Sequence, residues 1–328
     1  MDTQSNDGRN SVQHVLVSLG LLLGSTLNAA ERPTIKKVGA IDCGLVEATP
    51  LVVKDRLYRF EYVRKDYSGN ATGGPYFRLV DVATGKATPA FAKGYHLGCA
   101  YAEGDFVYAF GVKKWGQSEI AMFKSRDLQS WEEHQAISLP GWQLFNSSVC
   151  KAGERYIMAI EVGAPPEIAG TPFTMRFAES KDLASWKLLP EQCVFSKDRY
   201  TACGTIRYLG DHFYMIYLEA RPGPEYESYI VRSKDLVSWE SSRFNPVLAA
   251  SADDKQIANP QLTKEQRELI AGAVNINNSD VDLCEFAGKT HITYSWGNQQ
   301  GTEFLAKAIY EGSLESLLEG FFPSDSSK

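Results

Sequence analysis

The stretch Ser125-Arg126-Asp127-Leu128-Gln129-Ser130-Trp131 recurs twice further along the chain, as Ser180-Lys181-Asp182-Leu183-Ala184-Ser185-Trp186 and as Ser233-Lys234-Asp235-Leu236-Val237-Ser238-Trp239. The tryptophans that end the copies are spaced by about 55 and 53 residues, a period typical of propeller repeats. Such a recurrence indicates one supersecondary unit used several times, and the copies must stack because a single unit cannot bury its apolar faces alone. The three aspartates are predicted to form the same turn in each copy, and the tryptophans to pack between units.

Five aromatic-rich segments have the composition of β-strands and mark five units rather than three: residues 57–63, 106–111, 156–161, 213–219 and 290–296. Five units of about 50 residues use nearly the whole chain as one domain. The repeat therefore predicts an all-β fold, a five-bladed β-propeller with four-stranded antiparallel blades, over residues 31–328. A strand at about residues 34–41 is expected to close the ring.

One segment, at about residues 245–277, interrupts the repeat between the fourth and fifth units. Within it, residues 263–271 are predicted to form a helix that Thr263 caps, with Gln266 in the capping box and Gly272 as the stop. Inserted segments in repeat folds tend to share one face, so this one is either a rim or lid or a surface decoration. A second short helix is expected at residues 313–320, with residues 321–323 docking it.

The N-terminus resembles a targeting segment. Residues 15–23 form an apolar run, and small residues follow up to Ala30. The run is too short for an ordinary membrane-spanning helix. We expect an export signal over residues 1–30 and a secreted or periplasmic protein that has no membrane contact after its removal; the alternative is a disordered leader.

The net charge and the cysteine and histidine content argue against some partners and cofactors. The formal net charge is −6, with no basic stripe, so nucleic acid is not expected as a partner. Six cysteines lack the Cys-x-x-Cys spacing of a zinc site and histidines are few, so no metal and no cofactor are expected. Most of the cysteines fall in predicted first strands, where buried free thiols are favoured over disulfides.

The repeat also predicts where a site would lie. In an up-and-down blade the first strand begins, and the second ends, on the same face of the disc, so residues at those points converge on one funnel. Several acidic side chains at one site repel each other, so such a cluster is typical of a site that transfers a proton or binds a polyol. The candidate catalytic carboxylates are Glu47, Glu161, Glu219 and Asp280; the candidate substrate-binding residues are His96, Trp115, Asn146, Arg221, Trp296 and Asn298.

The repeated phrase, the five four-stranded units and the acids at the inner strands resemble the five-bladed glycoside hydrolases, including families 43, 32 and 117, and the related mannoside phosphorylases of family 130. The resemblance covers roughly residues 40–323. It implies acid–base chemistry at the inner mouth, where family 43 uses an Asp as base, a second Asp as modulator and a Glu as acid. Here Glu47 stands where an Asp is expected, and the Trp-Met-Asn-Asp-Pro opening of family 32 is absent.

The resulting expectation is a glycoside hydrolase that acts on an oligo- or polysaccharide. Glu219 or Glu161, at the ends of apolar strands that raise a carboxyl pKa, would be the acid, and Asp280 or Glu47 the base. One alternative is a phosphorylase, for which Arg199, Arg221 and Lys113 could supply a phosphate pocket. The other is a carbohydrate-binding propeller without catalysis.

Overall fold

A computed structural model describes residues 1–2, 31–223 and 225–323. The predicted export signal, apart from its first two residues, lies outside the described residues. The described chain is all-β, and its sheets are antiparallel within each of five consecutive units. Unit 1 contains β2 (Val46–Val53), β3 (Arg56–Val63) and β4 (Tyr76–Asp81), and unit 2 contains β5 (His96–Glu103), β6 (Phe106–Val112), β7 (Glu119–Ser125) and β8 (Glu132–Ser138).

The next two units follow the same order. Unit 3 contains β9 (Gln143–Ala152), β10 (Arg155–Ala164) and β11 (Thr174–Ser180), with β12 (Lys187–Leu188) and β13 (Val194–Phe195) both paired to β11. A short helix, α1 (Pro166–Ala169), follows β10. Unit 4 contains β14 (Thr201–Leu209), β15 (His212–Ala220), β16 (Tyr226–Ser233) and β17 (Glu240–Ser241).

Unit 5 takes its fourth strand from the other end of the chain. Its strands are β18 (Asn277–Phe286), β19 (Lys289–Gly297) and β20 (Glu303–Tyr310), and β1 (Lys36–Cys43) pairs antiparallel with β20. The predicted closing strand is thus present, two residues later than expected at each end. The first strands of the units touch in cyclic order, β2 with β5, β9, β14, β18 and then β2 again.

The repeated phrase forms one turn three times. The buried serine oxygen accepts the leucine N–H at 2.9, 2.9 and 2.8 Å in the three copies. Each aspartate accepts the N–H groups two and three residues later, at 2.8 to 2.9 Å. The leucine adopts a left-handed φ of 62° to 64°, which this hydrogen-bonded turn holds in place. The predicted structural role of the phrase is confirmed.

The tryptophan of each phrase packs against the preceding unit. Trp131 stacks on Phe91 with ring centroids 3.7 Å apart, Trp186 meets Phe110 edge-on, and Trp239 stacks on Phe177. Because neighbouring units cover both faces of a sheet, central strands such as β15 are buried along nearly their whole length. The buried contacts between units therefore recur at the same interval as the repeated phrase.

The insertion packs on the outer strand of unit 5. Helix α2 (Lys264–Gly272) is capped by Thr263. The Thr263 side-chain oxygen accepts the Gln266 backbone N–H, and the side-chain Oε1 atom of Gln266 accepts the Thr263 backbone N–H, so the predicted capping box is confirmed. A 3₁₀ turn (Ala252–Lys255) precedes it, and its buried Asp254 pairs with Lys37 of β1 at 2.7 Å. The insertion thereby fastens the closing strand.

The C-terminal helix and the cysteines match their predictions. Helix α3 (Leu314–Gly320) is capped by Ser313, and Phe321 and Phe322 are buried beneath it. All six cysteines are free thiols, four of them buried. None of the helices in the described ranges is long and apolar enough to span a bilayer.

Candidate active site

A β-bulge near the start of the first strand recurs in four units. It places Glu47, Leu97, Cys203 and Asp280 in the left-handed region, with φ between 50° and 55°. Strand β9 is irregular at the corresponding point, where Asn146 lies. Bulges redirect a side chain out of the ordinary alternation of a strand. Here they turn one side chain from each unit toward a common cavity.

That cavity, the carboxylate cavity below, has a volume of about 150 Å³ and draws its lining from all five units. Its carboxylates are Glu47, Glu161, Asp280 and Glu303; its other polar residues are Arg64, Asn146, Tyr200, Cys203, Ser279 and Gln299; its apolar residues are Leu97, Trp115, Phe145, Phe173, Ala202 and Leu218. Three of the four carboxylates predicted to converge, Glu47, Glu161 and Asp280, are among them.

Glu161 is buried at the end of β10, where its Oε2 atom accepts the backbone N–H of Cys203 at 2.6 Å and the side-chain amide of Asn146 at 3.2 Å. Burial raises the pKa of this carboxyl to about 7, with a further rise from Asp280, although the two hydrogen bonds oppose it. A carboxyl of this kind can hold or release a proton near neutral pH.

Glu47 and Asp280 lie close enough to interact electrostatically. Burial raises the pKa of Glu47 well above its usual value, and the nearby charge of Asp280 raises it further. Among the described residues the Glu47 Oε2 atom has no hydrogen-bond partner. Asp280 accepts a hydrogen bond from the Ser279 hydroxyl at 2.9 Å. Burial and the charge of Asp280 therefore both favour the protonated form of Glu47.

Arg64 and Glu303 were not singled out as site residues from the sequence. The two are ion-paired across the cavity wall at 2.8 Å. Burial opposes the charge of Arg64, but Glu47 and Glu303 outweigh it, so the pKa of Arg64 is raised. Arg64 directly follows β3 and Glu303 begins β20, and third strands begin on the same face as first strands. Applying that rule to third strands as well would have found Glu303.

Glu219 does not line the carboxylate cavity, whereas its neighbour Leu218 does. Adjacent residues of a strand point to opposite faces. The Glu219 carboxylate instead accepts the Tyr217 hydroxyl at 2.8 Å and lies 3.9 Å from the guanidinium of Arg199. The expectation that Glu219 converges with the other three carboxylates is therefore wrong, because side chains alternate between the two faces of β15 and Glu219 lies on the other face.

Of the predicted substrate-binding residues, Asn146 and Trp115 line the cavity. Trp115 is 61% exposed at the cavity and packs edge-on against Phe145, so a large aromatic face is open to a ligand. Asn146 holds Glu161 rather than standing free.

The other four lie elsewhere, each for a local reason. Trp296 is fully buried and stacks on Phe304, so its ring is not open to a ligand and its candidate role in substrate binding is wrong. Asn298 accepts the N–H groups of Gln300 and Thr302 and shapes the β19–β20 turn. His96 bonds to the Tyr62 hydroxyl at 2.7 Å, and Arg221 lies 3.4 Å from Glu227.

The cations proposed for a phosphate pocket are also dispersed. Lys113 lies over the Tyr95 ring, Arg199 is beside Asp198 and Glu219, and Arg221 is beside Glu227. None of the three lines the carboxylate cavity. Within residues 31–223 and 225–323, no cluster of three or more His, Cys, Asp or Glu side chains is arranged to hold a metal ion.

No protein-family model and no curated protein matches this chain. Solved structures do match. The structure of a BT0996 RGII complex aligns with a TM-score of 0.61 at 14% identity, over 84% of this chain and 92% of the matched protein. The α-L-arabinofuranosidase PaAbf62A from Podospora anserina, in complex with cellotriose, aligns at 0.57 and 8%, over 85% and 98%.

The GH43 protein BlXynB from Bacillus licheniformis aligns with a TM-score of 0.55 at 11% identity, over 84% of this chain and 54% of the matched protein. A GH32 β-fructofuranosidase from Bombyx mori aligns at 0.54 and 11%, over 84% and 61%. The fold of this chain therefore resembles glycoside hydrolases of families 43 and 32, as its repeats predicted.

Proposed function

We propose that this chain is a glycoside hydrolase that cleaves a glycosidic bond at the carboxylate cavity, and that its five units form a closed five-bladed β-propeller. The observation that carries the proposal is a buried carboxyl with a pKa of about 7, Glu161, facing the coupled pair of Glu47 and Asp280 in one cavity. Glycoside hydrolysis needs one protonated and one ionised carboxyl group on either side of the scissile bond.

Glu161 acts as the general acid in this proposal. Its proton passes to the leaving glycosidic oxygen, and the carboxylate that remains is stabilised by the Cys203 N–H and the Asn146 amide already in place. Because these donors favour the ionised form while burial favours the neutral form, the pKa of Glu161 is about 7 and the group can both hold and release a proton near neutral pH.

Asp280 acts as the base that accepts a proton from the attacking water, with Glu47 as its protonated neighbour. The raised pKa of Glu47, which results from its burial and from the charge of Asp280, supports this division. The exposed face of Trp115 is suited to stack on the leaving group at the mouth.

The proposal is tested by screening the purified protein on aryl glycosides and plant and algal oligosaccharides, then comparing variants. Glu161→Gln and Asp280→Asn should each lose about 10²–10⁴-fold in kcat/KM, the usual contribution of acid–base catalysis. Glu179→Gln, which breaks an Arg155–Glu179 pair of 2.7 Å far from the cavity, is the matched control and should keep wild-type activity.

Three outcomes would contradict parts of this account. If Glu219→Gln abolishes turnover while Glu161→Gln does not, the acid is Glu219. If the protein binds glycans but no member of the panel is cleaved by the wild-type chain, the propeller binds carbohydrate without catalysis. Turnover only with inorganic phosphate would make it a phosphorylase.

We further propose that residues 1–30 are an export signal and that the mature, single-domain protein of residues 31–328 is secreted or periplasmic. The apolar run and the small residues that follow it support this proposal. Sequencing the N-terminus of protein from its native compartment should give a start near Glu31; a mature chain that begins at Met1 contradicts it.

A further inference from the structure

The carboxylate cavity has room for a single sugar ring. Its volume of about 150 Å³ matches that of an engineered cavity that binds one benzene molecule. Toward the axis it narrows to a space of about 30 Å³, bounded by Thr49, Gly98, Ser147 and Gly204 of four first strands. That space is enough for one or two water molecules. A glycan cannot thread along the axis past this point.

The cavity wall offers little positive charge. Of its four carboxyl groups, burial favours the neutral forms of Glu47 and Glu161, and Arg64 is the single cation among the described lining residues. Arg64 is held by Glu303 at 2.8 Å and also faces Glu47, so its positive charge is already compensated. A ligand carboxylate or sulfate here would lie near Asp280 and Glu303 and find no uncompensated cation among the described lining residues, which is costly in a poorly solvated site.

One part of the cavity wall is apolar. Leu97, Ala202 and Leu218 lie on it, and Phe145 and Phe173 pack edge-on with ring centroids 4.7 Å apart. Phe145 in turn supports the exposed ring of Trp115. An apolar wall facing a polar one suits a sugar ring, which has an apolar face and an equatorial belt of hydroxyl groups.

We propose that the carboxylate cavity binds one uncharged, chain-terminal sugar residue and excludes sugar residues that carry a carboxylate or sulfate group. Glu303 is the side chain that sets this preference. The proposal deepens the proposed function and rests on it for the statement that the ring in the cavity is the residue released. Its binding part is independent of turnover.

Calorimetric titration tests the binding part with matched probes: D-galactose against D-galacturonic acid and D-glucose against D-glucuronic acid, with D-xylose and L-arabinose as neutral pentoses. The members of each matched pair differ only in a hydroxymethyl or a carboxylate group. We expect neutral sugars to bind, and any matched acid to bind at least tenfold more weakly. An acid that binds as well as its neutral partner, or the absence of binding by every neutral sugar, overturns the proposal.

The role of Glu303 is tested by Glu303→Gln, which removes one negative charge from the wall. The preference for the neutral sugar should fall by about tenfold, and less at high salt, because screening weakens charge repulsion. Glu179→Gln, which breaks a pair of the same kind outside the cavity, should leave the preference unchanged. An unchanged preference in Glu303→Gln removes Glu303 from the proposal.

Product analysis tests the single-ring part. Digestion of a neutral oligosaccharide should release monosaccharide only from the first time point, and early release of longer fragments overturns this part. The proposed hydrolysis and the proposed sugar selectivity can fail separately. If neutral sugars bind selectively but no glycoside is cleaved, the hydrolase function is wrong while the selectivity stands.

Discussion

At the scale of single residues, the site depends on opposing influences on one carboxyl. Burial of Glu161 favours its protonated form, and the Cys203 N–H and Asn146 amide favour its ionised form. Neither influence alone gives a group that exchanges a proton near neutral pH. The same burial makes Glu161 a source of instability, since the ionised carboxyl is less well accommodated in the folded chain than in water.

This yields a prediction for stability against pH. The folded-state pKa of about 7 lies above the ordinary value of 4.5, so the folded chain holds the proton more tightly and loses stability as pH rises from about 4.5 to 7. Glu161→Gln does not titrate, so its stability relative to wild type should increase over that range by on the order of 3 kcal/mol. Urea unfolding near pH 5 and pH 8 measures this, and an unchanged difference between the two pH values contradicts it.

A second residue-scale prediction concerns Asn146. Its amide lowers the pKa of Glu161, so Asn146→Ala should raise that pKa. The pH at which activity declines on the basic side, near 7 in the wild-type enzyme, should therefore move upward. The pH profile of kcat/KM measures the shift, and a move to lower pH contradicts the assignment of Glu161 as the acid.

At the scale of elements, the repeated turn stabilises units 2, 3 and 4, and the closing strand β1 completes unit 5. Ser125, Ser180 and Ser233 are all buried and accept the N–H of the left-handed leucine that follows. The closing strand β1 is tied to the insertion by the Lys37–Asp254 pair, and Asp254 also accepts the Tyr294 hydroxyl of β19 at 2.8 Å. One polar network therefore joins three elements distant in sequence.

The turn predicts an effect that follows the burial of its leucine. Ser180→Ala leaves the buried Leu183 N–H without its partner, so the free energy of unfolding should fall by about 1–3 kcal/mol. Ser233→Ala should behave alike and Ser125→Ala should cost less, because Leu236 is buried and Leu128 only half-buried, whereas Ser185→Ala, at an exposed position of the same turn, should have little effect. Equal loss at Ser185 and Ser180 would falsify the buried hydrogen bond as the cause.

The Lys37–Asp254 pair predicts a larger effect. Asp254→Asn leaves the buried ammonium of Lys37 without its anionic partner, so stability should fall by about 3–5 kcal/mol. Burial already lowers the pKa of Lys37, so the loss should be partly relieved at high pH, where the lysine becomes neutral. Asp253→Asn, at the exposed neighbouring position, is the control; equal melting temperatures for the two variants contradict the role of the pair.

At the scale of the whole molecule, the repeat made the fold predictable because the same turn recurs at the same place in three of the five units. Glu47, Glu161 and Asp280 could be placed at one mouth from strand order alone. Trp296 and Glu219 were misplaced because strand order gives the end of a strand but not its buried face, and one residue decides which way a side chain points. Arg64 and Glu303 escaped notice because the strand-order rule was not applied to the residue that follows β3 or to the first residues of third strands, although both positions lie on the same face.

The central claim is that Glu161 donates a proton to the leaving oxygen, and leaving-group dependence tests it most directly. The measurement compares kcat/KM of wild type and Glu161→Gln on glycosides of one accepted sugar with dinitrophenyl, phenyl and sugar leaving groups. The account predicts that the variant retains near wild-type rates on the dinitrophenyl glycoside, which leaves without a proton, and loses about 10²–10⁴-fold on the poorer leaving groups. An equal loss on all three substrates, or no loss on any, contradicts it.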